Sequence, residues 1–136
     1  MMRQFSEDIF NFVKKHIDSV EQLEILLLFY RSPTKGWTIT TVSQEIRTSR
    51  TSTQNRLASL SAHGFVAING KGEGCEEDAY VYQPESEDLH QQVTLLEQEY
   101  KIRRMRVIDA IYTPPAEEKM MNFLDAFRIR KNEKDE

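Results

Sequence analysis

The chain has 136 residues and a net charge of −4, and 39% of its residues are hydrophobic. This length and composition predict one small core with appended helices. The mean hydropathy of −0.60 is typical of a soluble protein, and the longest apolar run, Ile25 to Tyr30, is far shorter than the ~18 residues of a membrane span. The amino end lacks the apolar core of a secretory signal, and the single cysteine, Cys75, excludes an internal disulfide. We therefore expect a cytoplasmic protein without an integral membrane segment.

Two helices are predicted before residue 32. The first is amphipathic and occupies the region 1–18, because apolar residues recur there at helical spacing. Asp18 or Ser19 can cap the second helix. Its leucine-rich sequence is the most apolar of the chain, so we expect it at the centre of the fold. Pro33 ends it, because proline cannot continue the helical hydrogen-bond ladder. The apolar residues of the first helix are Phe5, Ile9, Phe12, Val13 and Ile17.

A short extended segment is predicted at residues 37–39, after the turn at Lys35-Gly36. It could join a later hairpin as a third strand. Trp37 could stack on a base or a ligand, but a tryptophan at a helix junction more often fills the core, and we favour that interpretation.

The stretch from Thr40 to His63 predicts a helix, a tight turn and a second helix. Thr40 or Thr41 can cap the first helix, with Glu45 close enough to serve its open amides. We expect the turn near Thr48.

The second helix of this pair carries the candidate chemistry. Ser49 can cap it, and Gly64 is a natural left-handed stop. Leu57 and Leu60 form its buried side. Arginine and asparagine make bidentate contacts with base edges, whereas serine and threonine bind phosphates. The other side is polar and shows Arg50, Thr51, Thr53, Gln54, Asn55 and Arg56.

A two-stranded hairpin is predicted next, with strands at residues 65–68 and 79–82 and a flexible glycine-rich turn at 69–74. Two helices followed by such a hairpin are the order of a winged helix-turn-helix. Residues 19–83 resemble bacterial winged-helix regulators of the MarR-like kind, through the segments LEILLLFYRSP, WTITTVSQEI and LASLSAHGFVAI. The resemblance implies a mainly α fold with a small β-hairpin, in which residues 19–84 form the winged domain.

The predicted helix pair and the predicted wing carry opposite net charges. Residues 40–63 carry three arginines and one glutamate, whereas residues 64–84 carry Lys71 against Glu73, Glu76, Glu77 and Asp78. Wings that contact DNA present basic residues to phosphates, and this wing would repel them. Lys71 is its candidate phosphate contact.

A long helix is predicted at about 85–112, with Ser86 near its start and a seam formed by Leu89, Val93, Leu96, Tyr100, Val107 and Ala110. We favour a dimer interface along this seam, as the resemblance also implies. The alternative is that the helix folds back on the first helix of the same chain. The cluster Arg103, Arg104 and Arg106 could reach DNA phosphates, but we favour its pairing with Glu97, Glu99 and Asp109.

Thr113-Pro114-Pro115 predicts a break and then a last helix, so that residues 85–131 contain the C-terminal helices and residues 132–136 a disordered tail. The last helix could bind a membrane surface or a partner. Packing within a dimer or on the first helix is the interpretation we favour.

No enzyme signature is present in the sequence. His16, His63 and His90 lie on different predicted elements, and there is no HExxH or CxxC motif, so we expect neither catalytic residues nor a metal site or cofactor. The glycines near Lys71 lack the GK[ST] ending of a phosphate loop.

The sequence therefore predicts a homodimeric, sequence-specific regulator that binds double-stranded DNA through a recognition helix at about 49–63. The candidate DNA-binding residues are Ser49, Arg50, Thr51, Ser52, Thr53, Asn55, Arg56 and Lys71. The alternative is a winged-helix module that binds a protein partner through the acidic wing or the C-terminal helices. A small-molecule pocket between the dimer helices and the winged domain is a further expectation from the resemblance.

Overall fold

The computed structural model describes residues 7–113, which form six helices and one two-stranded sheet. The last predicted helix and the tail lie outside the described residues. None of the helices in this part of the chain has the length and hydropathy that crossing a membrane requires. In chain order the elements are α1 (Glu7–His16), α2 (Val20–Arg31), α3 (Ile39–Ile46), α4 (Arg50–Ala62), β1 (Val66–Lys71), β2 (Asp78–Tyr82), α5 (Glu87–Ile102) and α6 (Arg104–Tyr112).

Side-chain caps set most of the helix starts. Ser19, Ser49 and Ser86 accept bonds from the amides three residues on, as the sequence predicts. The expected cap of α3 is wrong. Thr38, not Thr40 or Thr41, begins this helix and forms a reciprocal capping box with Thr41. Extending the helix by one turn satisfies two amides with threonine hydroxyls, so Glu45 has no capping role.

The central helix is α2, as its sequence predicts. Leu23, Ile25, Leu26, Leu27 and Phe29 are completely buried, and α1, α4, α5 and α6 supply most of the rest of a single core. An isolated α2 could not bury so many faces, so the surrounding helices are needed to remove this apolar surface from water.

The wing is an antiparallel hairpin in which Val66 pairs with Tyr82 and Ile68 with Tyr80. Trp37 forms a single bridge with Tyr80, through backbone bonds of 2.8 and 2.7 Å. The predicted third strand is thus reduced to one residue, because Thr38 already caps α3. The Trp37 side chain is buried, as favoured, and lies 6.2 Å from Phe29 between ring centres.

The predicted long helix is wrong as a single element, because it breaks at Arg103. This residue leaves the helical conformation at φ −128° and ψ 58° and separates α5 from α6. The break turns α6 back on α1, where Val107 and Ile111 join the core and the Lys14 ammonium donates to the Ile111 carbonyl at 2.9 Å. Much of the predicted seam is therefore buried within one chain, as the alternative interpretation expects.

The arginine cluster after α5 pairs only partly as predicted. Arg103 binds Glu99 at 3.0 Å, one turn earlier. Arg104 instead reaches Glu24 on α2 at 3.5 Å and lies over the Tyr100 ring. The contact between Arg104 and Glu24 therefore joins the break between α5 and α6 to α2.

Candidate nucleic-acid interface

The outward side of α4 is an exposed, uncharged surface. The helix begins at the Ser49 cap, where the side-chain oxygen accepts from the Ser52 amide at 3.0 Å. Leu57 and Leu60 pack into the core and hold the opposite side away from the protein. We call this exposed surface the α4 outer face; it consists of Thr51, Gln54, Asn55, Ala58, Ser61 and Ala62.

The expected exposure of Thr53 is wrong. Its side chain is completely buried, and its hydroxyl donates to the Ser49 carbonyl at 2.9 Å. Thr53 is four residues before Leu57 and seven before Leu60, so all three lie on one side of the helix. That spacing was the sequence signal for its burial.

Arg56 lies on the flank of α4 that faces α2. Its guanidinium is 3.0 Å from the Glu21 carboxylate and 3.6 Å from that of Asp18. The Ser52 hydroxyl donates to the same Glu21 side chain. Burial acts to raise the pKa of Glu21, but bonds from Ser52, Thr48 and Arg56 outweigh it and hold the pKa below its ordinary value. Two of the candidate residues, Ser52 and Arg56, are thus bound to α2.

Arg50 lies at the amino end of α4 and faces the wing. Its guanidinium is 3.7 Å from the Glu77 carboxylate and donates to the Thr40 hydroxyl. Glu77 also accepts from Thr40, at 2.6 Å from the hydroxyl and 3.2 Å from the amide. These bonds from Thr40, with a smaller effect of Arg50, lower the pKa of Glu77.

Lys71 lies near Arg50 but is engaged with the wing itself. Its ammonium is 2.9 Å from Asp78, on the opposite strand. Both basic residues line a shallow cleft of about 270 Å³ between the wing and the start of α4, together with Ile39, Glu76, Glu77, Asp78 and Tyr80. The predicted wing contact, Lys71, is therefore next to the start of α4 but is surrounded by carboxylates.

The candidate residues thus divide into two groups. Ser49, Arg50, Thr51 and Asn55 are exposed in the first half of α4, and Lys71 is exposed in the wing, whereas Thr53 is buried and Ser52 and Arg56 are half-buried against α2. Sequence reasoning missed the carboxylates that hold the two arginines, because Glu21 is 35 positions from Arg56 along the chain. Only the fold brings these partners together.

Arg47 is a further exposed basic residue of this surface, in the turn between α3 and α4. It has a left-handed conformation, with φ 67° and ψ 54°, and its amide bonds to the Ser43 carbonyl. Glycine usually takes this conformation at a helix end. The sequence has no glycine between α3 and α4, which indicates that another residue of this turn must take it.

A second cavity, of about 460 Å³, lies between the winged domain and the C-terminal helices. Glu24, Arg31, Glu45, Tyr100, Lys101 and Arg104 supply its polar lining. The small-molecule pocket expected from the sequence, between dimer helices and the winged domain, stays a prediction. No cluster of three or more metal-ligating side chains occurs among residues 7–113.

The sequence matches no protein-family model and no curated protein. Its fold is nevertheless similar to solved structures. A MepR–DNA complex from Staphylococcus aureus gives a TM-score of 0.56 at 10% identity, over 91% of this chain and 89% of that one. The adhesin competence repressor AdcR from Streptococcus pyogenes gives 0.53 at 13% identity, over 88% and 82% of the two chains.

A third similar structure is the homodimeric winged helix-turn-helix DNA-binding domain of Mb0332 from Mycobacterium bovis. It gives a TM-score of 0.51 at 18% identity, over 76% of this chain and 93% of that one. At these identities the similarity concerns the fold. The predicted winged helix-turn-helix, mainly helical with one small hairpin, is confirmed.

Proposed function

We propose that this protein is a homodimeric transcription regulator that binds specific sequences of double-stranded DNA, with α4 in the major groove. The observation that carries the proposal is the α4 outer face, which is exposed, polar and free of the charges that would fix it to its own protein. A recognition helix of this kind fits a groove about 12 Å wide. The similar fold of MepR, which has been solved in complex with DNA, supports the proposal that this chain binds DNA.

The roles follow from side-chain chemistry. Asn55, in the middle of the outer face, is the candidate for a bidentate contact with adenine, and Gln54 beside it has the same capacity. Ser49 and Thr51, at the amino end of α4, are candidates for phosphate contacts. Arg50 is the candidate for a guanine or phosphate contact once it leaves Glu77. Arg56 and Ser52 are bound to α2 and have secondary roles, as Lys71 does in the wing.

A second copy of the chain is the proposed partner of the C-terminal helices. Leu95 and Ile102 lie seven residues apart on one side of α5, and both are at least half exposed. Met105 and Tyr112 have the same spacing on α6 and are similarly exposed. Apolar side chains of this size on adjacent helices are typical of an interface. A two-fold dimer would require half-sites about one helical turn of DNA, ~34–36 Å, apart.

A protein-binding module is the second candidate. Both arginines of α4 are paired with carboxylates of their own chain, and the wing is acidic. A protein with few unpaired cations on its winged face would bind phosphates weakly. The acidic wing or the C-terminal helices would then contact a protein partner, and α4 would contribute a neutral surface.

Fluorescence anisotropy with labelled random-sequence duplex DNA separates the two candidates. We expect salt-dependent binding that Arg50→Ala weakens, with the slope of log K against log salt falling by about one. Arg106→Ala is the matched control, because Arg106 is also exposed but belongs to α6. Absence of binding at ~50 mM salt, where phosphate contacts are strongest, would reject the DNA proposal in favour of a protein partner.

A further inference from the structure

The Glu77 carboxylate lies among three different donor groups, which are the Thr40 amide, the Thr40 hydroxyl and the Arg50 guanidinium. One carboxylate oxygen lies 3.2 Å from the Thr40 amide, in the first turn of α3. The other lies 2.6 Å from the Thr40 hydroxyl and 3.7 Å from the Arg50 guanidinium. The cluster thus joins the start of the first helix of the helix-turn-helix to the start of the second.

These three donors form a set that is suited to phosphate. Amides at a helix start, threonine hydroxyls and arginines are the groups that contact the DNA backbone in protein–DNA complexes. In a helix-turn-helix the first helix crosses that backbone. A carboxylate and a phosphodiester each present two oxygens that share one negative charge. Glu77 therefore satisfies the cluster in the way that a phosphodiester would.

The wing loop holds Glu77 in place through its backbone. The Gly72 amide donates to the Glu77 carbonyl at 2.8 Å, and the Cys75 amide donates to the Gly72 carbonyl at 3.2 Å. The loop also packs closely on α3, since a side chain at Gly72 would lie 2.3 Å from the Thr38 methyl group. The contact between Glu77 and α3 is therefore part of the fold and not a chance surface pair.

We propose that Glu77 is an internal substitute for a DNA phosphate, which must be displaced before the backbone can bind at Thr40 and Arg50. This inference rests on the proposed DNA-binding function and adds an autoinhibitory contact to it. Because Glu77 competes with every phosphate equally, it lowers the affinity for all sequences by the same factor. The α4 outer face, which Glu77 does not touch, keeps its base contacts, so the ratio of specific to non-specific binding stays the same while non-specific binding becomes weaker.

Glu76 supplies a matched control for the experiment. It lines the same cleft and carries the same charge, but it is exposed and its side chain forms no hydrogen bond or ion pair with Thr40 or Arg50 in the described structure. Glu77→Ala and Glu76→Ala thus make the same change in charge and size one residue apart. Glu77→Gln is the second variant, which keeps the shape of the side chain and removes its charge.

The first measurement is the anisotropy titration with random-sequence duplex at several salt concentrations. We expect Glu77→Ala to bind about tenfold more tightly than Glu76→Ala, as the loss of a charge-assisted competitor implies. We expect the gain to disappear in the Glu77→Ala/Arg50→Ala double variant. Equal affinities for the two single variants would overturn the inference and leave the proposed function intact.

The second measurement does not depend on DNA. Inorganic phosphate is titrated into each protein while the Thr40 amide and the Arg50 Nε–H are followed by ¹H–¹⁵N NMR. We expect saturable shifts of both signals in Glu77→Ala and Glu77→Gln but not in Glu76→Ala. Absence of these shifts would overturn the inference. Shifts without DNA binding by any variant would support the phosphate-like cluster and reject the DNA-binding function.

Discussion

The Arg56 guanidinium on α4 lies 3.0 Å from the Glu21 carboxylate on α2. This ion pair joins α4 to the central helix of the fold, and the Ser52 hydroxyl donates to the same carboxylate. Glu21 therefore holds the flank of α4 opposite α2 through two of its side chains, Ser52 and Arg56.

Replacing Glu21 tests how much its ion pair with Arg56 contributes to the stability of the fold. We expect Glu21→Gln to lower the free energy of unfolding by up to about 1 kcal/mol at pH 7, because partly exposed ion pairs contribute modestly. The folded protein holds the pKa of Glu21 below its ordinary value of 4.5, so its stabilisation is present above that value and is lost as the pH falls below it. Urea unfolding followed by Trp37 fluorescence, at pH 7 and at pH 4, measures both effects. An equal loss at the two pH values would contradict the assignment.

His16 makes the fold sensitive to acid. Its Nδ1 lies 2.8 Å from Nδ1 of His63, which ends α4, and its ring packs against Phe12 and Phe65. Burial, the nearby His63 and Lys15 together lower the pKa of His16 to about 4. The folded protein thus holds His16 neutral, and its stabilisation is complete above pH 6.5 and is lost as the pH falls towards 4.

We expect unfolding free energy to fall by about 1–2 kcal/mol between pH 7 and pH 4 from this group, after allowance for solvent screening. His16→Phe keeps the ring contacts and removes the proton-binding group. Urea unfolding at pH 7 and pH 5, where ordinary carboxylates are still mostly ionised, should show a smaller pH dependence for the variant. The same dependence in both proteins would be inconsistent with a neutral His16.

The ion pair between Arg31 and Glu97 connects α2 to α5. Two guanidinium nitrogens bind the two carboxylate oxygens at 3.0 Å, and the Glu97 side chain is only 8% exposed. Arg31→Ala leaves this buried carboxylate with Lys101 alone, at 3.8 Å. We expect a loss of about 2–3 kcal/mol of unfolding free energy, since a buried charge without its partner is costly.

Neutralising the carboxylate should restore most of that loss. In the Arg31→Ala/Glu97→Gln variant no unpaired charge remains, so thermal unfolding should return towards the wild-type midpoint. Lys101→Ala is the control and should cost less than about 0.5 kcal/mol, because its ion pair is on the surface. A double variant less stable than Arg31→Ala would show that the ion pair between Arg31 and Glu97 is not what stabilises the contact between α2 and α5.

Gly64 follows the C-cap of α4 in a left-handed conformation, at φ +83°. Gly70, in the wing, has nearly the same φ of +78°, but a side chain there would meet nothing within 4 Å. We expect Gly70→Ala to cost about 1 kcal/mol from backbone strain alone. Gly64→Ala should cost more, because its Cβ would lie 2.5 Å from the Glu85 side chain. Urea unfolding of the two variants compares them, and equal losses would show that Glu85 moves away freely.

Local signals in the sequence predicted much of the fold. The serine caps and Gly64 depend on a few neighbouring residues, and the apolar spacing of α2 is visible without the structure. The break at Arg103 was missed because apolar residues continue on both sides of it, and only packing on α1 shows where the chain turns.

The candidate site was less predictable, because its charges are paired over long distances. The sequence identified Arg50 as an exposed residue of α4, but Glu77, which holds it, comes from a wing loop 27 positions away. Sequence-local reasoning pairs charges within a helix and cannot anticipate such a contact. The burial of Thr53 could have been predicted, because its spacing with Leu57 places both side chains on the same side of α4. It was expected to be exposed because it is polar.

Selection of bound sequences from a random duplex library tests most directly whether the α4 outer face reads DNA. We expect the wild-type protein to enrich two related half-sites, with centres about one helical turn apart. Asn55→Ala should keep that spacing and lose the preference for one base pair in each half-site, at a cost of about 1–3 kcal/mol. Failure of the wild-type protein to enrich any sequence, or an unchanged preference in Asn55→Ala, would contradict the assignment.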